Sequence, residues 1–152
     1  MIRHATPVID APGARTYRLD SVRFTVLRES DPRKRHGLSK PEDVVAFLRL
    51  GELIPDDAKE HFGILMLTSQ NGFIAHHHVS VGTLNATLIR PSDIFGPALR
   101  TMGVAFLILY HNHPSGDPLP SHEDTRLTRQ LVEAGKLLDV KIHDHIIIGN
   151  GT

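Results

Sequence analysis

Apolar residues recur along this chain in two rhythms, alternate positions in some stretches and helical spacing in others, and their succession predicts an α/β fold. Tyr17 to Arg28 (YRLDSVRFTVLR) alternates approximately and is rich in β-branched residues, which predicts an edge strand. Ser39-Lys40-Pro41-Glu42 has the Ser-x-x-Glu form of a capping box. It predicts a helix with Val44, Val45, Phe47, Leu48 and Leu50 on its buried side, ending near Gly51. Phe62 to Ser69 and Phe73 to Val81 read as two strands joined by a hairpin turn at Gln70-Asn71-Gly72. Pro91 to Met102 predicts a helix that starts at its proline and leads into a buried strand, Val104 to Tyr110 (VAFLILY). After a Pro- and Gly-rich loop, a helical stripe follows from about His122, made of Leu127, Leu131, Val132, Ala134, Leu137 and Leu138. Val140 to Ile148 closes the pattern as a strand.

The most informative residues stand where the VAFLILY strand ends. Side chains two apart on an extended chain point the same way, so His111 and His113 converge while Asn112 turns away. Pro114, Gly116, Pro118 and Pro120 then force a loop, and Asp124 falls on the first turn of the next helix. Two imidazoles and a carboxylate form a three-ligand set with a fourth zinc position left for water, the arrangement of catalytic rather than structural zinc. Ser121 and Asp124 carry a competing explanation: Ser-x-x-Asp before an apolar-periodic run is also a capping box. The serine oxygen can accept a backbone N–H and still donate its proton to a substrate oxyanion. A carboxylate bound to metal, on this reading, is not free to fold back on the cap.

Hydrolysis at such a site also needs a proton-transferring carboxylate. Glu60 stands just before the Phe62 strand, though spacing alone reads it as a solvated strand-edge charge. In His76-His77-His78 the middle ring opposes the other two and no carboxylate lies beside them, so the run reads as surface. His143 and His145 flank Asp144 on one face of the last strand, which fits a structural or supporting role better than direct ligation.

Composition narrows the choice. The chain has 152 residues, enough for one domain with a sizeable core. Net charge is zero, which gives no general drive toward nucleic acid or anionic membrane. Residues 1 to 40 nevertheless hold nine Lys/Arg against four Asp/Glu, and Arg33-Lys34-Arg35 reads as an exposed basic connection. A nucleic-acid contact through that segment is the runner-up expectation, as a DNA-associated accessory module without hydrolase activity. The absence of cysteine excludes disulfides, thiolate zinc sites and cysteine-protease chemistry. No run approaches the 18 apolar residues of a membrane span, and the first fifteen residues have no signal-peptide core. A cytoplasmic protein with no membrane partner is therefore expected.

His-x-His-Pro, with seven residues between His113 and Ser121 and Asp124 three further on, together resemble the JAMM (MPN-plus) metalloprotease family. The longer run His111-Asn112-His113-Pro114-Ser115-Gly116-Asp117-Pro118, with Asp144-His145-Ile146-Ile147-Ile148-Gly149, is similar to its bacterial RadC branch. The resemblance implies a mixed, curved sheet flanked by helices, of the cytidine-deaminase-like JAB/MPN type, over residues 39–152. Residues 1–38 would be a leader with the edge strand. It further implies zinc held by His111, His113 and Asp124, Glu60 as general base and Ser121 as stabiliser of the tetrahedral intermediate, acting on a peptide or isopeptide substrate. Three departures stand out. The leader is too short for the helix-hairpin-helix region of full-length RadC proteins. Pro91-Ser92-Asp93 replaces the usual Pro-Arg-Glu, which predicts a lost ion pair or partner contact. The chain ends soon after Gly149, which would leave the last strand open to pair with a second copy as a homodimer. The contiguous letters HNH have no bearing on HNH nucleases, whose name denotes spaced residues.

Overall fold

The computed structural model describes residues 37–55, 58–82 and 89–149. The expected edge strand at Tyr17–Arg28 and the basic run Arg33-Lys34-Arg35 lie outside them. Three helices and four strands follow one another as α1 (Pro41–Leu50), β1 (Glu60–Leu67), β2 (Phe73–Gly82), α2 (Pro91–Arg100), β3 (Phe106–Asn112), α3 (His122–Leu138) and β4 (Lys141–Ile148). The strands form one mixed sheet in the order β2-β1-β3-β4. β1 pairs antiparallel with β2 and β3, and β3 pairs parallel with β4. The β3–α3–β4 crossover is what a parallel pair requires, since no tight turn can join parallel neighbours.

Strand parity divides the core in two. Phe62, Ile64 and Met66 of β1 and Leu107 and Leu109 of β3 face Ile94, Phe95 and Ala98 of α2 and Leu127 and Leu131 of α3. The alternate positions, Leu65, Leu67, Ile108, Tyr110, Ile146 and Ile148, pack against Val44 and Leu48 of α1. β1 and β3 are buried on both faces, which explains why they read as continuous apolar runs.

Several boundaries differ from the sequence reading, each for a local reason. The first capping box does not form. Pro41 forces its predecessor into extended geometry, so Lys40 becomes the N-cap at φ −129° and ψ 150°, with no side-chain cap bond. Ser39 instead accepts from the Asn71 amide at 3.3 Å and ties α1 to the hairpin turn. Leu50 is exposed, two residues past Leu48 and thus on the other side of α1. Leu137 and Leu138 are likewise exposed, because the α3 stripe is effectively Leu127, Leu131 and the buried Gly135. Asp93 accepts the Arg90 N–H at 3.0 Å and pairs with its guanidinium at 3.2 Å.

The three consecutive histidines are not uniformly on the surface. His78 is exposed, but His76 is partly buried and lies 2.5 Å from the Tyr110 hydroxyl. Tyr110 reaches it across Gly63, where any side chain would collide with the phenol. Burial pushes the Tyr110 hydroxyl up, so it keeps its proton beside the His76 ring. Burial, then His78 and His77, lowers His76 from 6.5 to about 4. Between those values the unfolded chain binds the extra proton, so this contribution is complete above pH 6.5 and is lost as pH falls toward 4. Metal-free melting midpoints are therefore expected to fall between pH 7 and pH 4.5, and His76→Gln should make that slope shallower. An unchanged slope in the variant would remove His76 from the effect.

Candidate metal centre

The centre forms on the α2/α3 face of the sheet, at the ends of β1 and β3. Phe62 of β1 pairs with His111 of β3, so the preceding residue on that face, Glu60, projects beside the histidine. His111 is fully buried, and its Nε2 lies 2.9 Å from His113 Nε2. Asp124, delivered by the first turn of α3, places Oδ1 3.4 Å from His111 Nε2 and Oδ2 3.4 Å from His113 Nε2. Glu60 Oε1 is 3.9 Å from His111 Nε2. Glu60, His111 and His113 also offer donor atoms that all lie within 4.8 Å of one another.

Hydrogen bonds fix which nitrogens carry protons. His113 Nδ1 lies 2.7 Å from the Asp117 carbonyl, which can only accept, so Nδ1 donates and Nε2 is the nitrogen turned toward His111 and Asp124. His111 Nδ1 lies 2.9 Å from His145 Nε2. Burial, then the His145 ring, lowers His111 to about 3 despite the nearby Asp124 carboxylate. Burial lowers His145 to about 4 despite Asp124 and Asp144. Burial alone would raise Asp124, but the Ser121 hydroxyl and N–H and both imidazoles overcome it and hold the carboxyl low. Neutral imidazoles facing an ionised carboxylate are the donor set that a divalent ion needs. Zinc at roughly 2.0–2.1 Å from nitrogen ligands in a tetrahedron implies donor atoms about 3.3 Å apart, and the imidazole nitrogens lie 2.9 Å from each other and each 3.4 Å from a different Asp124 oxygen.

Asp124 does fold back on the helix cap. Ser121 and Asp124 form the capping box in full, with Ser121 N–H donating to Oδ2 at 2.8 Å and Asp124 N–H donating to Ser121 Oγ at 3.1 Å. Oδ1 still faces His111. The Ser121 hydroxyl proton goes to Oδ2 at 2.6 Å rather than toward open space.

Three contributors escaped the sequence reading. Asn112 turns away from the imidazoles and uses its side-chain amide like a peptide group. Its Oδ1 accepts the His61 N–H at 2.7 Å and its Nδ2 donates to the Lys59 carbonyl at 3.0 Å, which brackets Glu60 on both sides. The β1–β3 ladder ends at Phe62 and His111, so the Asn112 side chain continues it for one step. Thr128 bonds both the Asp124 carbonyl and His145, and the Asp117 carbonyl orients His113. His143 and His145 do not share a face. The pairing of β3 with β4 shifts register between Leu107 and Ile108, and His143 stacks on Phe106 while His145 faces His111.

The loop from His113 to Pro120 is held from below. His113 N–H donates to the Ile148 carbonyl at 2.9 Å, and Gly149 lies so close to the Gly116 carbonyl that a methyl there would collide. A cleft of about 230 Å³ opens beside the centre, lined by Pro120, Asp124, Thr125, Thr128, His145 and Ile147. No helix among the described residues is long and apolar enough to cross a membrane.

The description of the RadC-like JAB domain matches residues 38–152. A UPF0758 protein of Caldanaerobacter subterraneus is 44% identical over 114 residues, which cover 75% of this chain and 48% of that protein. One from Alkaliphilus oremlandii is 37% identical over 158 residues, covering 88% and 68%, and one from Desulforudis audaxviator is 50% identical over 92 residues, covering 60% and 40%. The chain thus spans about half the length of the curated relatives it matches.

Proposed function

The chain belongs to the RadC-like JAB domain family, and from that premise we propose that it is a zinc-dependent hydrolase of peptide or isopeptide bonds. One observation carries the reading: the two Nε2 atoms lie 2.9 Å apart with the Asp124 carboxylate 3.4 Å from both. Two imidazole nitrogens and a carboxylate gathered this closely are a donor set suited to a divalent cation. His111, His113 and Asp124 would hold the ion. When bound, zinc makes water more acidic and polarises a carbonyl.

The remaining steps fall to the chain itself. Glu60, its side chain only 17% exposed, is placed to take a proton from the attacking water and return it to the leaving nitrogen. Asn112 keeps that carboxylate in register by bonding the peptide groups before and after it. Ser121 keeps its oxygen on the Asp124 N–H, and rotation of its hydroxyl would turn the proton from Oδ2 to a developing oxyanion. The cleft along Pro120, Thr125 and Ile147 offers a path for a substrate chain to reach these groups.

Elemental analysis, anomalous scattering at the zinc edge and a panel of peptide and isopeptide substrates test the reading together. One zinc per chain is expected, with hydrolysis that a chelator removes and added zinc restores. A folded protein that takes up no zinc from micromolar free metal would end it.

A further inference from the structure

We propose that Thr128 and His145 act as positioning residues that fix the tautomer of His111, so that its Nε2 lone pair faces the metal centre. The inference rests on the zinc reading above and adds to it the residues that prepare one of the ligands.

The direction of the chain of hydrogen bonds follows from its end. Thr128 Oγ1 lies 2.7 Å from the Asp124 carbonyl, one turn back in α3, and a carbonyl has no proton to give. The single hydroxyl proton of Thr128 is therefore committed to that carbonyl. His145 Nδ1 lies 2.6 Å from the same Thr128 oxygen, and with the hydroxyl proton already used, the imidazole must be the donor there. A neutral ring protonated at Nδ1 presents a lone pair at Nε2. That lone pair is 2.9 Å from His111 Nδ1, which in turn must donate. His111 is left with its unprotonated Nε2 pointing at His113 and Asp124.

The circuit also closes on itself. It starts at the backbone of Asp124 and ends beside the Asp124 carboxylate, so one helical turn both supplies an acidic donor and orients the neighbouring imidazole. A carboxylate in the place of His145 would hold the same proton on His111 but would add a buried negative charge next to Asp124. A neutral imidazole performs the orientation without that charge. Phe62 packs against both rings, stacked on His111 at 5.8 Å and edge-on to His145 at 5.6 Å, so neither can tilt freely out of line.

Thr128→Val keeps the shape of the threonine and removes the oxygen, Thr128→Ser keeps the oxygen, and His145→Phe keeps a ring without nitrogens. Zinc affinity is measured by competition with a chromophoric chelator, and the ring tautomers of the metal-free protein by nitrogen-15 chemical shifts. Zinc affinity is expected to fall about 10- to 100-fold in Thr128→Val and His145→Phe and to stay within about threefold in Thr128→Ser. In the metal-free parent, His111 and His145 should both appear protonated at Nδ1, with His111 becoming a mixture of tautomers in Thr128→Val. Parent-like affinity together with a parent-like His111 tautomer in both Thr128→Val and His145→Phe would overturn the inference. His111 protonated at Nε2 in the metal-free parent would overturn it as well. A parent that shows the expected tautomers but binds no zinc would instead defeat the hydrolase reading and leave the hydrogen-bond circuit standing.

Discussion

Glu60→Gln should retain zinc and lose hydrolysis by about 10²- to 10⁴-fold, the usual span for removing a positioned acid–base group. Glutamine matches glutamate in size and can keep its place at the start of β1, where the Asn112 amide clamps residues 59 and 61. What it lacks is the ability to hold a proton between attack and departure of the leaving nitrogen. The nearest alternative carboxylate, Asp124, is already occupied by the Ser121 hydroxyl and N–H and by its approach to both imidazoles, so it cannot take over. Elemental analysis and turnover measured on the same preparation separate the two effects. Parental turnover would exclude Glu60 from the chemistry, and lost zinc would recast it as a ligand, an outcome that its 3.9 Å approach to His111 makes worth distinguishing.

Phe62→Ala is expected to cost about 3–5 kcal/mol of stability, the range for truncating a fully buried aromatic residue. The damage should also reach the centre. Phe62 sits between the apolar core of α2 and α3 and the His111 and His145 rings, so its loss removes the surface against which both are aligned. Phe62→Leu fills most of the volume and should recover most of the stability while recovering less of the zinc affinity, because a branched alkyl group cannot stack on an imidazole. Denaturant melts and chelator competition on both variants test this. Equal recovery of the two quantities would show that Phe62 acts through packing volume alone.

The sequence was most readable where one periodicity settled the matter. Strand parity placed His111 and His113 together, the Asn71-Gly72 turn marked the hairpin, and the apolar runs of β1 and β3 marked strands covered on both sides. The order β2-β1-β3-β4 was not readable, since it depends on which strand edges meet once the helices pack. Within the centre, the hidden contributors work through backbone groups. Asn112 takes a missing place in a ladder, Thr128 resembles any helix-surface threonine until its bond to the Asp124 carbonyl is seen, and the Asp117 carbonyl would be present whatever side chain stood there. Ser39 and Ser121 make the same point from another side. Both begin a Ser-x-x-acid pattern, but only Ser121 caps a helix, because Pro41 moves the N-cap of α1 one residue beyond Ser39, to Lys40.

The capping box at Ser121 and Asp124 joins a hydroxyl, a carboxylate oxygen and two backbone N–H groups. The first turn of α3 and the orientation of the Asp124 side chain are thus held by the chain's own hydrogen bonds. Small zinc folds draw their folding free energy from coordination and collapse when stripped. This domain instead buries both faces of its sheet, so treatment with a chelator is expected to leave its circular dichroism spectrum and its fold unchanged.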